Sequence, residues 1–117
     1  MRAKQGELVR IIHILDAIGE IESYISSTNE AGFLRNSMMR FACIKQMEVI
    51  GEACNHLTED LRATYAEIQW GQTIGMRNVF VHEYFGVDIR LVWDIIVFNL
   101  PPLKGKLLTI KNALSNE

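Results

Sequence analysis

The stretch Arg77-Asn78-Val79-Phe80-Val81-His82-Glu83-Tyr84 gathers a guanidinium, an amide, an imidazole and a phenol within two helical turns. Arginine is a permanently charged planar fork suited to phosphate, and histidine moves protons near neutral pH. Asparagine orients a ligand through its amide, and a phenol both donates and accepts hydrogen bonds. On an α-helix with Arg77 at zero, Tyr84 lies about 20° to one side, while Val81, Asn78 and His82 follow at about 40°, 100° and 140° on the other. One broad face therefore collects the polar groups, and Val79 and Phe80 lie opposite, where they anchor the helix in a core. These are parts suited to phosphodiester chemistry. Spacing alone does not decide the matter, because a lone His on an amphipathic helix is more often a surface or hydrogen-bonded residue than a catalyst.

The elements that must position this segment are helical. Leu8, Ile11, Ile12, Leu15, Ile18, Ile21 and Ile25 recur at three- and four-residue intervals, which predicts an amphipathic helix over about 5–26. Ser27 and Glu30 stand three apart, as a capping box requires, at the start of a second helix over about 30–57. Its apolar residues (Leu34, Met38, Phe41, Cys43, Ile44, Met47, Ile50, Cys54, Leu57) encircle most of the cylinder, and only a stripe of Lys45, Glu48, Glu52 and Asn55 interrupts them. Such a helix must be covered on several sides, by other helices or by a second subunit. Thr58 caps a short helix near 59–67, Trp70-Gly71 reads as a connection, and a helix over about 71–84 carries the polar segment. Gly86 ends that helix, and Asp88 caps a further one bearing Leu91, Val92, Ile95, Ile96 and Phe98. Asn99-Leu100-Pro101-Pro102 reads as its stop, and Leu103 to Ala113 as a last helix. The expected fold is all-α: one domain over residues 1–117, a bundle built on a long antiparallel αα-hairpin with shorter C-terminal helices.

Bulk properties narrow the function. At 117 residues, with 49% hydrophobic and 22% charged side chains, the chain has the composition of one globular domain. A formal charge of −2 offers no global attraction to nucleic acid, so any such contact needs a local basic site. Arg2 and Lys4 are followed by Glu7 rather than by an apolar run, so no secretory signal is read, and the protein is expected in the cytoplasm. Leu91 to Leu100, broken by Asp94 and Asn99, is about half the ~20 residues a membrane span needs. Cys43 and Cys54 on one helix would stand about 16 Å apart, too far for a disulfide, and are expected as buried free thiols. Glu52 and His56, four apart with no matching second copy, do not make a di-iron motif, and His13 with Asp16 falls on an exposed face. No metal or cofactor is expected.

Arg77, four residues, His82, one residue and Tyr84, with Asn78 directly after the Arg, resemble the signature of the HEPN superfamily, in its HepT-like branch of toxins. Ile50-Gly51-Glu52-Ala53, Ile68-Gln69-Trp70, Gly75-Met76, Val87-Asp88, Val92-Trp93 and Leu100-Pro101 extend that likeness over about residues 8–110. The resemblance implies a metal-independent endoribonuclease that works as a homodimer with one composite cleft, in a toxin-antitoxin pair. It implies that Arg77 and His82 are catalytic and that Asn78 orients RNA. Glu52 is an accessory candidate, and Tyr84 is the target for adenylylation by a partner nucleotidyltransferase antitoxin. The alternative reading is a non-catalytic helical dimer that binds nucleotide or the nucleotidyltransferase.

Overall fold

The computed structural model describes residues 2–78 and 89–117. Helix α1 spans Arg2–Ile25, α2 Glu30–Arg35, α3 Ser37–Asn55, α4 Glu59–Thr64 and α5 Trp70–Ile74, followed by a 3-10 turn over Gly75–Asn78. After the interval, α6 spans Arg90–Asp94, a π-helical turn covers Ile95–Asn99, and α7 runs Leu100–Ser115. Among the described residues there is no strand, and the fold is the all-α bundle expected.

The same 3-4 spacing recurs on the three long helices. Ile11, Ile14, Ile18 and Ile21 of α1, Met47, Ile50 and Cys54 of α3, and Leu100, Leu103, Leu107 and Ile110 of α7 are all buried in one cluster. A three-four repeat keeps one seam of each helix facing its neighbours, which is why these three pack side by side. The buried stripe of α1 centres on Ile14 and Ala17, while Leu8, Ile12, Leu15 and Ile25 of the expected face are only half-buried. Two tertiary contacts show that α1 and α3 run antiparallel. Tyr24, near the end of α1, accepts from Gln46 Nε2 at 3.3 Å, and Glu7, near its start, meets Thr58 just beyond the far end of α3.

The single helix expected over 30–57 is two helices. Asn36 leaves helical geometry (φ −110°, ψ 93°), its backbone N–H closes α2 on Phe33, and its side chain accepts from the Met39 N–H at 3.0 Å. Asn competes well with helix continuation because its side-chain oxygen can satisfy a first-turn donor. The capping box is also corrected: Asn29, not Ser27, caps α2, accepting from the Gly32 N–H at 2.9 Å. Thr58 caps α4 as expected, with Oγ1 accepting from the Leu61 N–H at 3.1 Å, and α4 ends at Thr64 rather than near 67. Trp70 and Gly71 are not a connection but the start of α5. The Trp70 indole is buried and donates to the carbonyls of Arg62 (3.0 Å) and Tyr65 (3.1 Å), so it both fills the core and satisfies the end of α4.

Asn99 to Pro102 does not stop the helix that begins at Arg90. The chain remains helical from Arg90 to Ser115, and Pro101 and Pro102 occupy the first turn of α7, where a missing N–H costs little. The wider π turn just before them lies where the proline rings would otherwise crowd an α-helical carbonyl. Gly86 and Asp88, expected as end and cap, lie outside the described residues. No described helix is long and apolar enough to cross a membrane.

Cys43 and Cys54 are buried free thiols on α3, and burial pushes them up to about 11 and about 12, with Arg62 opposing the shift at Cys54. Both thus stay neutral near pH 7, where the thiolate is the reactive species.

Glu7 is the one buried carboxylate among the described residues. It accepts from the Thr58 N–H (3.2 Å) and Oγ1 (3.0 Å), and Arg10 lies 3.6 Å away. Thr58 Oγ1 thus donates to Glu7 while accepting from Leu61, a relay that ties α1 to the start of α4. Replacing Glu7 with Ala removes the carboxylate that accepts both hydrogen bonds from Thr58 and is expected to lower unfolding stability by about 1–3 kcal/mol. Denaturant unfolding checks this, with an unchanged midpoint counting against the relay.

Candidate active site

The site is built on α3 and on the turn that follows α5. Thr73 and Met76 are buried, so α5 and the 3-10 turn are fixed from beneath, and Arg77 and Asn78 are left outward. The turn itself is pressed against α3. A Cβ on Gly51 would lie 2.6 Å from the Arg77 backbone nitrogen and 2.7 Å from the Ile74 carbonyl oxygen, distances real Cβ atoms do not adopt. Only glycine permits this approach, and it sets Arg77 beside the next residue of α3, Glu52.

Lys45, Glu48, Val49 and Glu52 of α3, with Arg77 and Asn78, line an open cleft of about 610 Å³. The polar stripe read on this helix is thus largely a wall of the site; Asn55 is not among the lining residues. Charges in the cleft are balanced and paired. Lys45 Nζ stands 3.5 Å from Glu48 Oε2, and Arg77 Nη1 stands 3.7 Å from Glu52 Oε2. The second contact exceeds hydrogen-bond range, so it is a loose ion pair rather than a bidentate lock. A guanidinium held in this way keeps donors for an incoming anion. His56 Nε2 lies 3.1 Å from the other oxygen of Glu52.

Of the sequence-predicted site residues, Arg77, Asn78 and Glu52 meet in this cleft, while His82 and Tyr84 lie outside the described residues. The expected α-helical geometry does not hold across Arg77 and Asn78, which sit in a 3-10 turn at about 120° per residue rather than 100°. Sequence reasoning used Gly51 only as part of the family likeness and treated Lys45 only as part of a polar stripe. A glycine inside an otherwise apolar helix was a readable sign of close backbone approach. Among the described residues no group of three or more His, Cys, Asp or Glu side chains is placed to hold a metal ion.

A family model described as ribonuclease HepT-like matches residues 14–110, most of the chain. The chain belongs to the HepT-like family. Its curated relatives include a Methanocaldococcus jannaschii protein named "Putative RNase MJ1380", 32% identical over 91 residues that make up 78% of this chain and 84% of that one. A Thermococcus cleftensis protein named "Probable ribonuclease HepT" is 37% identical over 93 residues, 80% of this chain and 84% of that one. A second M. jannaschii protein, named "Gamma-glutamylcyclotransferase and putative RNase MJ0434", is 35% identical over 102 residues. That match takes in 87% of this chain but 46% of the longer protein. No solved structure matches. The HepT-like family falls within the HEPN superfamily, as the sequence resemblance implied, and membership supports a ribonuclease of the HepT type. The cleft between α3 and the Gly75–Asn78 turn lies inside the matched span.

Proposed function

We propose that this HepT-like protein is the toxin of a toxin-antitoxin pair, a metal-independent endoribonuclease whose site is completed by a second copy of the chain. The observation that carries this reading is the placement of Arg77, loosely paired and opening with Asn78 into a cleft walled by α3. In the proposed reaction the RNA 2′-OH attacks the adjacent phosphorus as His82 of one protomer takes its proton. The bond from phosphorus to the 5′ oxygen then breaks, and the partner's His82 protonates that leaving oxygen. Arg77 stabilises the charge that develops on the phosphorane, Asn78 orients the nucleotide, and Glu52 holds Arg77 before substrate arrives. Two-fold symmetry supplies acid and base from a single histidine per chain.

Support for the second copy comes from α3. Met38 (80% exposed) and Val49 (37% exposed) are apolar side chains on the helix face that also carries Lys45 and Glu52. Burying them together with their symmetry mates would bring two clefts to one seam. The cytoplasm, where RNA is met and the Cys43 and Cys54 thiols stay reduced, is the proposed location.

Tyr84 is proposed as the target of a nucleotidyltransferase antitoxin, which would join the phenolic oxygen to the α-phosphorus of ATP and release pyrophosphate. The phosphodiester so formed would pair with Arg77 and occupy the position of the RNA phosphate.

The test of the activity is cleavage of RNA by purified protein in excess chelator. Products ending in 2′,3′-cyclic phosphate are expected, and substrate with 2′-O-methyl groups should not be cut. Intact RNA after prolonged incubation at micromolar enzyme would turn the reading toward the non-catalytic dimer, a role that the balanced charge of the cleft also suits. Coexpression with a cognate nucleotidyltransferase should add one adenylyl group to wild type and none to Tyr84→Phe, with loss of cleavage only in the former.

A further inference from the structure

His56 has no part in the chemistry set out above, yet it touches the group that governs Arg77. It stands at the C-terminal cap of α3, one turn beyond Glu52, with Nε2 3.1 Å from Glu52 Oε1. The other oxygen, Oε2, faces Arg77 Nη1 at 3.7 Å. Glu52 is therefore shared unequally, 3.1 Å from His56 and 3.7 Å from Arg77. The remaining acid of the cleft, Glu48, is engaged by Lys45 at 3.5 Å, so within the cleft Glu52 is the carboxylate that Arg77 meets.

That asymmetry bears on substrate affinity. A carboxylate without the His56 contact can turn both oxygens onto the guanidinium, the planar two-bond arrangement that arginine and carboxylate favour. The same fork would then be closed to a phosphate. We propose that His56 is a positioning residue, which holds Glu52 back from Arg77 and so keeps the guanidinium open to the RNA phosphate. The inference rests on the ribonuclease reading for its ligand, but its geometry is independent of His82 and Tyr84. Because His56 and Glu52 are more than half exposed, the expected effect is a few-fold change, about 2–5-fold, as for other solvent-exposed pairs.

A double-mutant cycle on the full chain tests it, read as Kd for a 2′-O-methyl oligonucleotide, which presents phosphates without the attacking hydroxyl. His56→Ala should raise Kd about 2–5-fold, Glu52→Gln should lower it, and His56→Ala added to Glu52→Gln should change it no further. His56→Gln, which keeps a side-chain N–H, should restore most of the lost affinity. An unchanged Kd for His56→Ala, or an equal rise in both backgrounds, overturns the proposal, since the second result means that His56 acts on RNA or on the fold directly. The outcomes also separate this inference from the activity. Wild type that binds the oligonucleotide but never cuts RNA removes the ribonuclease reading and leaves the cycle to decide on His56, whereas wild type that neither binds nor cuts removes both.

Discussion

Replacing His82 with Ala should lower the rate of RNA cleavage in chelator by about 10²–10⁴-fold, the range general acids and bases supply. The loss should appear in kcat far more than in KM, because a proton-transfer group acts in the transition state and does little for ground-state binding. Arg77→Ala should cost about 10²–10³-fold and should also weaken RNA binding, since in the proposed reaction the guanidinium meets the phosphate both before and during the chemical step. Lysine is a poor substitute there: a compact ammonium cannot present the planar fork that a phosphorane needs.

A composite site, as proposed, adds a sharper expectation. If acid and base come from two copies of one histidine, a mixed dimer in which only one protomer keeps His82 lacks one of the two proton transfers. Adding excess His82→Ala protein to wild type and allowing subunits to exchange should then depress activity well below simple dilution. Independent sites in each protomer would instead leave activity proportional to the wild-type subunits present. Equal cleavage by His82→Ala and wild type would assign the cutting to a contaminant.

How much of this was legible beforehand depends on which physical signal each part gives. The long helices announce themselves because a buried seam imposes three- and four-residue spacing, and that spacing survives reading one residue at a time. The break at Asn36 does not, since the apolar rhythm continues through Leu34 and Met38 while the interruption is made by one side-chain oxygen. Pro101 and Pro102 misled for a related reason. Proline forbids a helix interior but suits a first turn, and only the preceding π turn shows which case applies. In the site, the stripe of Lys45, Glu48 and Glu52 was visible as a face, but its opposite wall was not. Pairing between α3 and the Arg77 turn is a long-range contact, encoded by the absence of a side chain at Gly51 rather than by any group that stands out.

That absence yields the second large expectation. Glycine to alanine inside a helix normally stabilises, by roughly 0.5–1 kcal/mol, because alanine loses less backbone freedom on folding. Gly19, exposed on α1 with nothing within 4 Å of where a methyl group would stand, should follow that rule. Gly51→Ala should do the opposite. Its Cβ would collide with the Arg77 nitrogen and the Ile74 oxygen, both backbone atoms, so relief requires α3 and the turn to move apart rather than a side chain to rotate. Overpacking of this kind costs about 1–3 kcal/mol, a fall in Tm of roughly 5–15 °C for a domain of this size. The displaced element carries Arg77, and an error near 1 Å in a positioned group can cost about 10²-fold in rate. Gly51→Ala protein that remains folded at the assay temperature should therefore still lose at least about 10-fold in cleavage, with Gly19→Ala unchanged. Thermal unfolding of the two variants beside wild type, followed by cleavage well below the lower Tm, separates loss of fold from loss of placement. A Gly51→Ala protein as stable and as active as wild type would mean that the approach of α3 to Arg77 is not what builds the site.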